Sequence, residues 1–188
     1  MTPRPFLLSL SFFRIAFASL LLAALGGCAS MTPAECKNAN WQDVGLRDGL
    51  AGEPLTALDA RTKSCAEAGV QANAQAYLHG RNQGLQSYCR LDHAARLGLD
   101  GKSYHGVCAA GIDAEFRHRY GVGREVYRAR SELRSLDSRR NSLEDKLEDA
   151  KGNDERKRLR DDLSDLDRSL RRARDRLRDA EWAYDRLR

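Results

Sequence analysis

The sequence lacks the short fingerprints that mark the common enzyme classes. No G-x-S-x-G, H-E-x-x-H, P-loop or dinucleotide-binding motif occurs in the 188 residues. His79 and His118 stand in no visible arrangement with a carboxylate and a nucleophile, so both are interpreted as surface residues. We therefore predict that the protein is not an enzyme and that it has no catalytic residue and no cofactor.

The second half of the chain lacks cysteine and has a single glycine, Gly152. From Arg124 onward, 37 of 65 residues are charged, and 20 bases are interleaved with 17 acids. The whole chain has a net charge of +5, but the acids interrupt any continuous basic face of the kind that nucleic-acid binding requires. We therefore predict no nucleic-acid binding and interpret these charges as a solvated helix face.

The amino end lacks an apolar run long enough to span a membrane. Ile15–Leu25 is an uninterrupted run of only eleven apolar or small residues, and Arg4 and Arg14 precede it without any acid. A spanning helix needs about 20 residues. Extending the run back to Phe6 would put Arg14 near the bilayer midplane, at a cost of about 2.5–3.5 kcal/mol. The pattern therefore predicts a signal peptide over residues 1–27.

The residues after this run, Leu25-Gly26-Gly27-Cys28, resemble the lipobox of bacterial lipoproteins. The resemblance implies a diacylglyceryl group on the Cys28 thiol, cleavage after Gly27, and acylation of the new amine by a chain such as palmitate. Two or more acyl chains hold a protein stably at a membrane, at about 0.8 kcal/mol per buried methylene. Because Ala29 rather than aspartate follows, it further implies the outer membrane, facing the periplasm. The alternative is an ordinary secreted protein with an incidental cysteine.

Four cysteines remain once Cys28 is assigned to lipid: Cys36, Cys65, Cys89 and Cys108. The periplasm is oxidising, so two disulfides are expected. Three pairings are open. We favour Cys36 with Cys65 and Cys89 with Cys108 because these close the shortest loops, each stabilising by about 3 kcal/mol.

The same region offers an alternative metal site, Cys89-x3-His93 with His105-x2-Cys108, at a spacing compatible with zinc. In an oxidising compartment the two cysteines would instead pair and leave two surface histidines. We therefore predict no metal site.

The first half is predicted to form short helices. Thr32-Pro33-Ala34-Glu35 combines a capping box with proline at the first helical position. Cap residues and glycines predict further helices over residues 40–51, 55–68 and 73–88, a short one from Asp92 that ends before Gly98, and a loop over residues 99–111.

Aromatic residues recur with glycines on these helices: Trp41 with Gly45 and Gly49, Tyr77 with Gly80 and Gly84, Tyr120 with Gly123. Each glycine inside a helix costs about 1 kcal/mol relative to alanine, so the pairs need a compensating reason. Close helix crossing is the interpretation we favour. The alternative is a ligand that approaches the backbone at Gly45 or Gly80.

Three motifs occur in order: W-x3-G-x2-D-G-x2-G from Trp41, Y-x2-G-x3-G-x3-Y-C from Tyr77, and Y-x-G-V-C from Tyr104. Together they resemble a proteobacterial lipoprotein family of unknown function, over residues 28 to about 127. The resemblance implies an envelope lipoprotein with a small cysteine-containing helical module. It brings no catalytic residue.

The second half has a heptad-like period. Apolar residues recur at steps of three and four in two runs that do not join in phase across Lys151-Gly152. This predicts an antiparallel hairpin of helices over Asp113–Ala150 and Asp154–Arg188, each about 50–57 Å long, in preference to one unbroken helix. The predicted seam is Val126, Ala129, Leu133, Leu136, Leu143, Leu147 and Ala150 against Leu159, Leu163, Leu166, Leu170, Ala173, Leu177, Ala180, Tyr184 and Leu187.

The sequence thus predicts an all-α protein: a signal peptide (1–27), a disulfide-stapled module of short helices (28–123) and a charged, coiled-coil-like hairpin (124–188). We expect a lipid-anchored envelope lipoprotein with a structural or protein-interaction role as spacer or adaptor. The hairpin would contact a helical partner or self-associate. The alternative function is binding of a small ligand or envelope polymer at the glycine and aromatic faces.

Overall fold

The computed structural model describes residues 31–187, so the predicted signal peptide and Cys28 lie outside the described residues. Within this range the chain is all-α. The predicted architecture of short helices and two disulfides followed by a long helical hairpin is confirmed. The helices are α1 (Pro33–Lys37), α2 (Trp41–Ala51), α3 (Thr56–Glu67), α4 (Ala74–Tyr88), α5 (Leu91–Leu99), α6 (Ala110–Asp149) and α7 (Asn153–Asp185).

The described residues divide into two compact units. Unit 1 comprises the residues up to Asn40 together with Leu55–Ala74, and unit 2 comprises Trp41–Pro54 together with the chain from Gln75 onward. The domain boundary expected between residues 123 and 124 lies inside α6, which runs without interruption.

Unit 1 is organised by a capping box and a disulfide. The Thr32 hydroxyl accepts a hydrogen bond from the Glu35 backbone N–H, and the Glu35 carboxylate accepts one from the Thr32 N–H at 2.7 Å. This is the predicted reciprocal arrangement, which satisfies two amides that a helix start leaves free. Cys36 of α1 is bonded to Cys65 of α3, and both side chains are buried.

Unit 2 contains the second disulfide and an aromatic core beside it. The second disulfide, Cys89–Cys108, joins the end of α4 to the loop before α6. Beside it Tyr88 and Phe116 stack at 5.7 Å, and Phe116 is fully buried. A small module gains stability from such a crosslink because it restricts the unfolded chain.

Two predicted helix boundaries are wrong. α6 begins at Ala110, inside the loop predicted over residues 99–111 and before the predicted start at Asp113. Gly98, expected to follow the end of α5, lies within its last turn. The helix ends at Leu99, and Gly101, which has a φ of +72°, follows the C-cap residue Asp100. Gly98 is a glycine for another reason. A methyl group there would lie 2.1 Å from the Tyr120 carbonyl oxygen, so the position serves contact between α5 and α6 rather than termination.

α6 and α7 form the predicted antiparallel hairpin. Every predicted seam residue is buried or half-buried, and Leu143, Leu166 and Leu170 form the centre of the cluster. At the turn, Arg156 of α7 donates to the carbonyl oxygens of Leu147 and Ala150 at 3.1 and 2.9 Å. This arginine satisfies carbonyls that the end of α6 leaves without intrahelical partners.

Two general properties follow from this fold. Among the described residues, no helix is both long enough and apolar enough to cross a membrane. The two disulfides indicate an oxidising, extracytoplasmic compartment.

Candidate functional site

The predicted glycine and aromatic faces of α2 and α4 meet at a close crossing. A methyl group added at Gly45 would lie 1.9 Å from the Tyr77 carbonyl oxygen, and one added at Gly80 would lie 1.9 Å from that of Gln42. The same close approach to opposing backbone occurs at the other predicted pair, Gly49 and Gly84. The backbone of the opposing helix therefore occupies the space that a ligand at Gly45 or Gly80 would need.

The aromatic residues of this face are buried in the same unit. Trp41 is 7% exposed and Tyr77 is fully buried. The Tyr77 hydroxyl donates to the Asp48 carboxylate at 2.6 Å, and Asp48 is itself buried. A buried carboxylate is costly unless hydrogen-bonded, so this pair specifies the packing of α2 on α4. Asp48 is the aspartate of the first sequence motif, but no role was predicted for it.

A second close crossing, between α5 and α6, has the same features as the crossing of α2 and α4. A methyl group at Gly123 would lie 2.0 Å from the Ala95 carbonyl oxygen, and Gly98 faces Tyr120 as described above. The shared signal is visible in the sequence: G-L-x-G ends both α2 and α5, and G-x3-Y lies on both α4 and α6. The glycines were predicted to serve helix crossing, but this duplication was not predicted.

The two crossings also share a helix terminus. Gly52 has a φ of +71° and Gly101 a φ of +72°, a conformation that favours glycine. A methyl group at either position would meet a tyrosine ring, Tyr88 for Gly52 and Tyr127 for Gly101. The Tyr88 hydroxyl is buried, and this burial raises its pKa to about 12. These tyrosines are therefore packing residues that hold each helix end against its neighbour.

The four residues of the alternative zinc site do not form a metal centre. Cys89 and Cys108 are bonded to each other, so neither can supply a thiolate ligand. The His93 ring nitrogen Nδ1 lies 2.8 Å from the Tyr88 carbonyl oxygen, and His105 is exposed. Within residues 31–187 no group of three or more potential ligands could hold a metal ion.

A polar cluster fixes the loop that carries Cys108. The Tyr104 hydroxyl donates to Asp113 Oδ1 at 2.5 Å and accepts from the Cys108 N–H at 3.1 Å. Arg117 donates to the other Asp113 oxygen at 2.6 Å. The hydrogen bond from Tyr104 is the main cause that lowers the Asp113 pKa, and the hydrogen bond from Arg117 is the second. The Tyr104 pKa is raised, mainly by burial and secondly by its hydrogen bond to Asp113. Tyr104 and both Asp113 carboxylate oxygens have hydrogen-bond partners within the cluster, so we interpret the cluster as fixing the position of the loop.

These crossings and this loop occupy one continuous part of the chain. Residues 40–125 match a family described as "Protein of unknown function (DUF2799)". The DUF2799 segment thus contains both glycine crossings and the Cys89–Cys108 disulfide. An uncharacterised protein of Escherichia coli strain K12, YfiL, is 32% identical over 71 residues, which are 38% of this chain and 54% of that protein. The chain therefore spans about half the length of this relative. No solved structure matches.

Most of the hairpin lies beyond the DUF2799 segment. Two ion pairs join its helices, Glu132 with Arg176 at 2.5 Å and Arg130 with Glu181 at 2.7 Å. Near Glu132 the seam carries small residues, and a groove of about 370 Å³ opens between α6 and α7, with charged side chains at its rim. The residues of the groove floor are Val122, Ala129, Ala180 and Ala183. The groove is thus lined by small apolar residues together with charged ones.

Proposed function

We propose that the protein is a lipid-anchored envelope lipoprotein, held at the outer membrane through Cys28 and facing the periplasm. In this proposal it has no catalytic activity, and the hairpin of α6 and α7 is a spacer or adaptor arm that contacts another helical protein or a second copy. The observation that carries it is the leucine cluster of the hairpin. That cluster is built only from α6 and α7, while the outer faces of both helices are charged.

Two observations support the proposed lipid anchor and cellular location. The lipobox-like residues 25–28 follow a signal-peptide pattern. The disulfides Cys36–Cys65 and Cys89–Cys108 fit an oxidising compartment.

The hairpin itself supports an interaction role. A two-helix seam buries little apolar surface, and exposed ion pairs add about 0.2–1 kcal/mol each. Trp182, close to the alanine-lined groove in the sequence of α7, remains 64% exposed. Exposed aromatic side chains and apolar grooves are both typical of surfaces that are covered in an assembly.

The lipid anchor is tested by mass spectrometry of the mature amino terminus and by membrane fractionation of the full chain. We expect a diacylglyceryl-modified, acylated Cys28, and we expect Cys28→Ser to move the protein from the membrane to the soluble fraction. Ala29→Ser is the matched control and should remain at the membrane. An unmodified terminus, or membrane association that survives Cys28→Ser, would show that the anchor proposal is wrong.

The arm is tested by cross-linking in cells. Leu170 is buried in the hairpin and Leu163 packs against it, so the double change Leu163→Asp, Leu170→Asp should lower helicity and abolish the cross-linked products. Ser135 and Ser164 are exposed on the same helices, and Ser135→Asp, Ser164→Asp adds the same charge without touching the seam. The proposal fails if the leucine variant keeps its helicity, oligomeric state and cross-links, or if the wild-type chain gives no cross-links.

A further inference from the structure

A cavity of about 420 Å³ lies within unit 2, beside the Cys89–Cys108 disulfide. One wall is a face of α4 that includes Arg81 and Gln86, and the other is the loop ending at Ala109 together with the first turn of α6. Its volume falls in the range of small-molecule sites, about 300–1,000 Å³. It is separate from the glycine faces, whose space is filled by backbone, and from the groove of the hairpin.

Arg81 brings to this cavity a guanidinium that forms no ion pair within 4 Å among the described residues. The side chain is buried, with 9% of its surface exposed. In the described part of the chain, Arg81 Nη2 donates a hydrogen bond to the Glu53 carbonyl oxygen at 2.8 Å. The Nε atom of Arg81 is buried and has no hydrogen-bond partner there. Buried charges are normally paired with an opposite charge, so a guanidinium held here by a neutral carbonyl favours an anion from outside the chain.

The amino-terminal end of α6 adds a second region of positive potential, on the wall of the cavity opposite α4. The helix begins at Ala110 behind Ala109, and no side chain caps this end. Ala109 and Ile112 line the cavity. The first amides of a helix lack intrahelical partners, and together with the helix dipole they favour a negative group. Phe116, one turn further along α6, is buried in the cluster that contains Cys89 and Cys108, and this packing holds the start of the helix beside the cavity.

The remaining lining is neutral and amphipathic. Asn82 and Gln86 present side-chain amides four residues apart on one helix, while Leu85, Val107 and Ile112 supply apolar surface. The amides can donate to and accept from a peptide bond. A phosphate would be served better by further cations than by this mixed lining.

We propose that this cavity binds the carboxylate end of a short peptide, with the anion between Arg81 and the first turn of α6 and an apolar side chain against Leu85, Val107 and Ile112. The site is independent of the role proposed for the hairpin. It gives the DUF2799 segment a binding activity of its own.

The first experiment titrates the full chain with N-acetyl-alanyl-alanine and follows the backbone amides of Ala110 and Gly111 by NMR. We expect saturable shifts at these amides. The matched probe with a carboxamide end should bind about tenfold more weakly or worse, because charge-assisted hydrogen bonds are lost. Equal shifts with both probes, or none at these amides, would overturn the proposal. Tighter binding of inorganic phosphate would overturn the assignment of a carboxylate.

Variants then localise the site. Arg81→Gln should abolish the saturable shifts, but Arg81 is buried and the change can impair folding. Ile112 is 41% exposed, so Ile112→Glu places a negative charge at the cavity with little structural cost and should weaken binding about tenfold. Ile112→Gln is the matched neutral control and should bind within about threefold of wild type. Unchanged affinity for Ile112→Glu would show that the anion binds elsewhere.

Discussion

Replacing Gly123 by alanine tests the central packing argument, that backbones touch where α5 crosses α6. The added methyl group would lie 2.0 Å from the Ala95 carbonyl oxygen, whereas ordinary contacts begin at 3.4 Å. The helices would therefore have to separate by about 1.4 Å, the difference of these two distances. The obstacle is main chain, which cannot rotate away as a flexible side chain would.

The expected magnitude follows from two opposing effects. Overpacking costs about 1–3 kcal/mol, and contact with main chain favours the upper end of that range. Alanine is favoured over glycine inside a helix by about 1 kcal/mol. The net expectation for Gly123→Ala is a loss of about 2 kcal/mol in the free energy of unfolding.

Gly121 provides the matched control, two residues away on the same helix. A methyl group there would meet nothing within 4 Å, so Gly121→Ala should stabilise the protein by about 0.5–1 kcal/mol. Both variants are compared with wild type by urea unfolding of the oxidised protein, followed by far-UV circular dichroism. If the two substitutions changed stability equally and in the same direction, the close crossing between α5 and α6 would be refuted.

Two further predictions concern the polar contacts at the ends of α6. Because the pKa of Asp113 is lowered in the folded state, its contribution to stability is present above the unfolded pKa and is lost as pH falls through the folded value. Tyr104→Phe should raise the Asp113 pKa in an NMR titration of the carboxyl carbon, and an unchanged pKa would contradict the assigned hydrogen bond. Arg156→Ala should destabilise the hairpin by about 1 kcal/mol, through two lost hydrogen bonds to α6 carbonyls, and should increase hydrogen exchange at the turn. The exposed Lys157→Ala is its control, and equal exchange in both variants would show that Arg156 does not cap α6.

Local signals in the sequence were sufficient to predict the helices and the hairpin. The capping residues at Thr32 and Glu35 act within one turn, and the phase break at Gly152 interrupts a period that can be read directly. The end of α5 was misplaced because Gly98 and Gly101 have the same side chain but different roles. Only the backbone approach at Gly98 and the positive φ at Gly101 distinguish them.

The candidate cavity could not be predicted in the same way. Arg81 and Ile112 are separated by 31 positions, and neither belongs to a recognisable motif. Arg81 resembles any other arginine on a charged helix until its burial is known. The relation between the two glycine crossings was visible as repeated G-L-x-G and G-x3-Y patterns, but their pairing depends on which helices pack together.

The amino-acid sequence by itself determined the all-α class, the positions of the short helices, the turn and seam of the hairpin and the expectation of two disulfides, because periodicity, capping and cysteine number act locally or through composition. Only the tertiary structure decided that the glycines serve backbone contact, that Asp48 is buried against Tyr77, and that Arg81 lies beside the start of α6. The physical reason is that burial and close approach depend on residues far apart in the chain, whose side chains acquire their roles only when the helices pack.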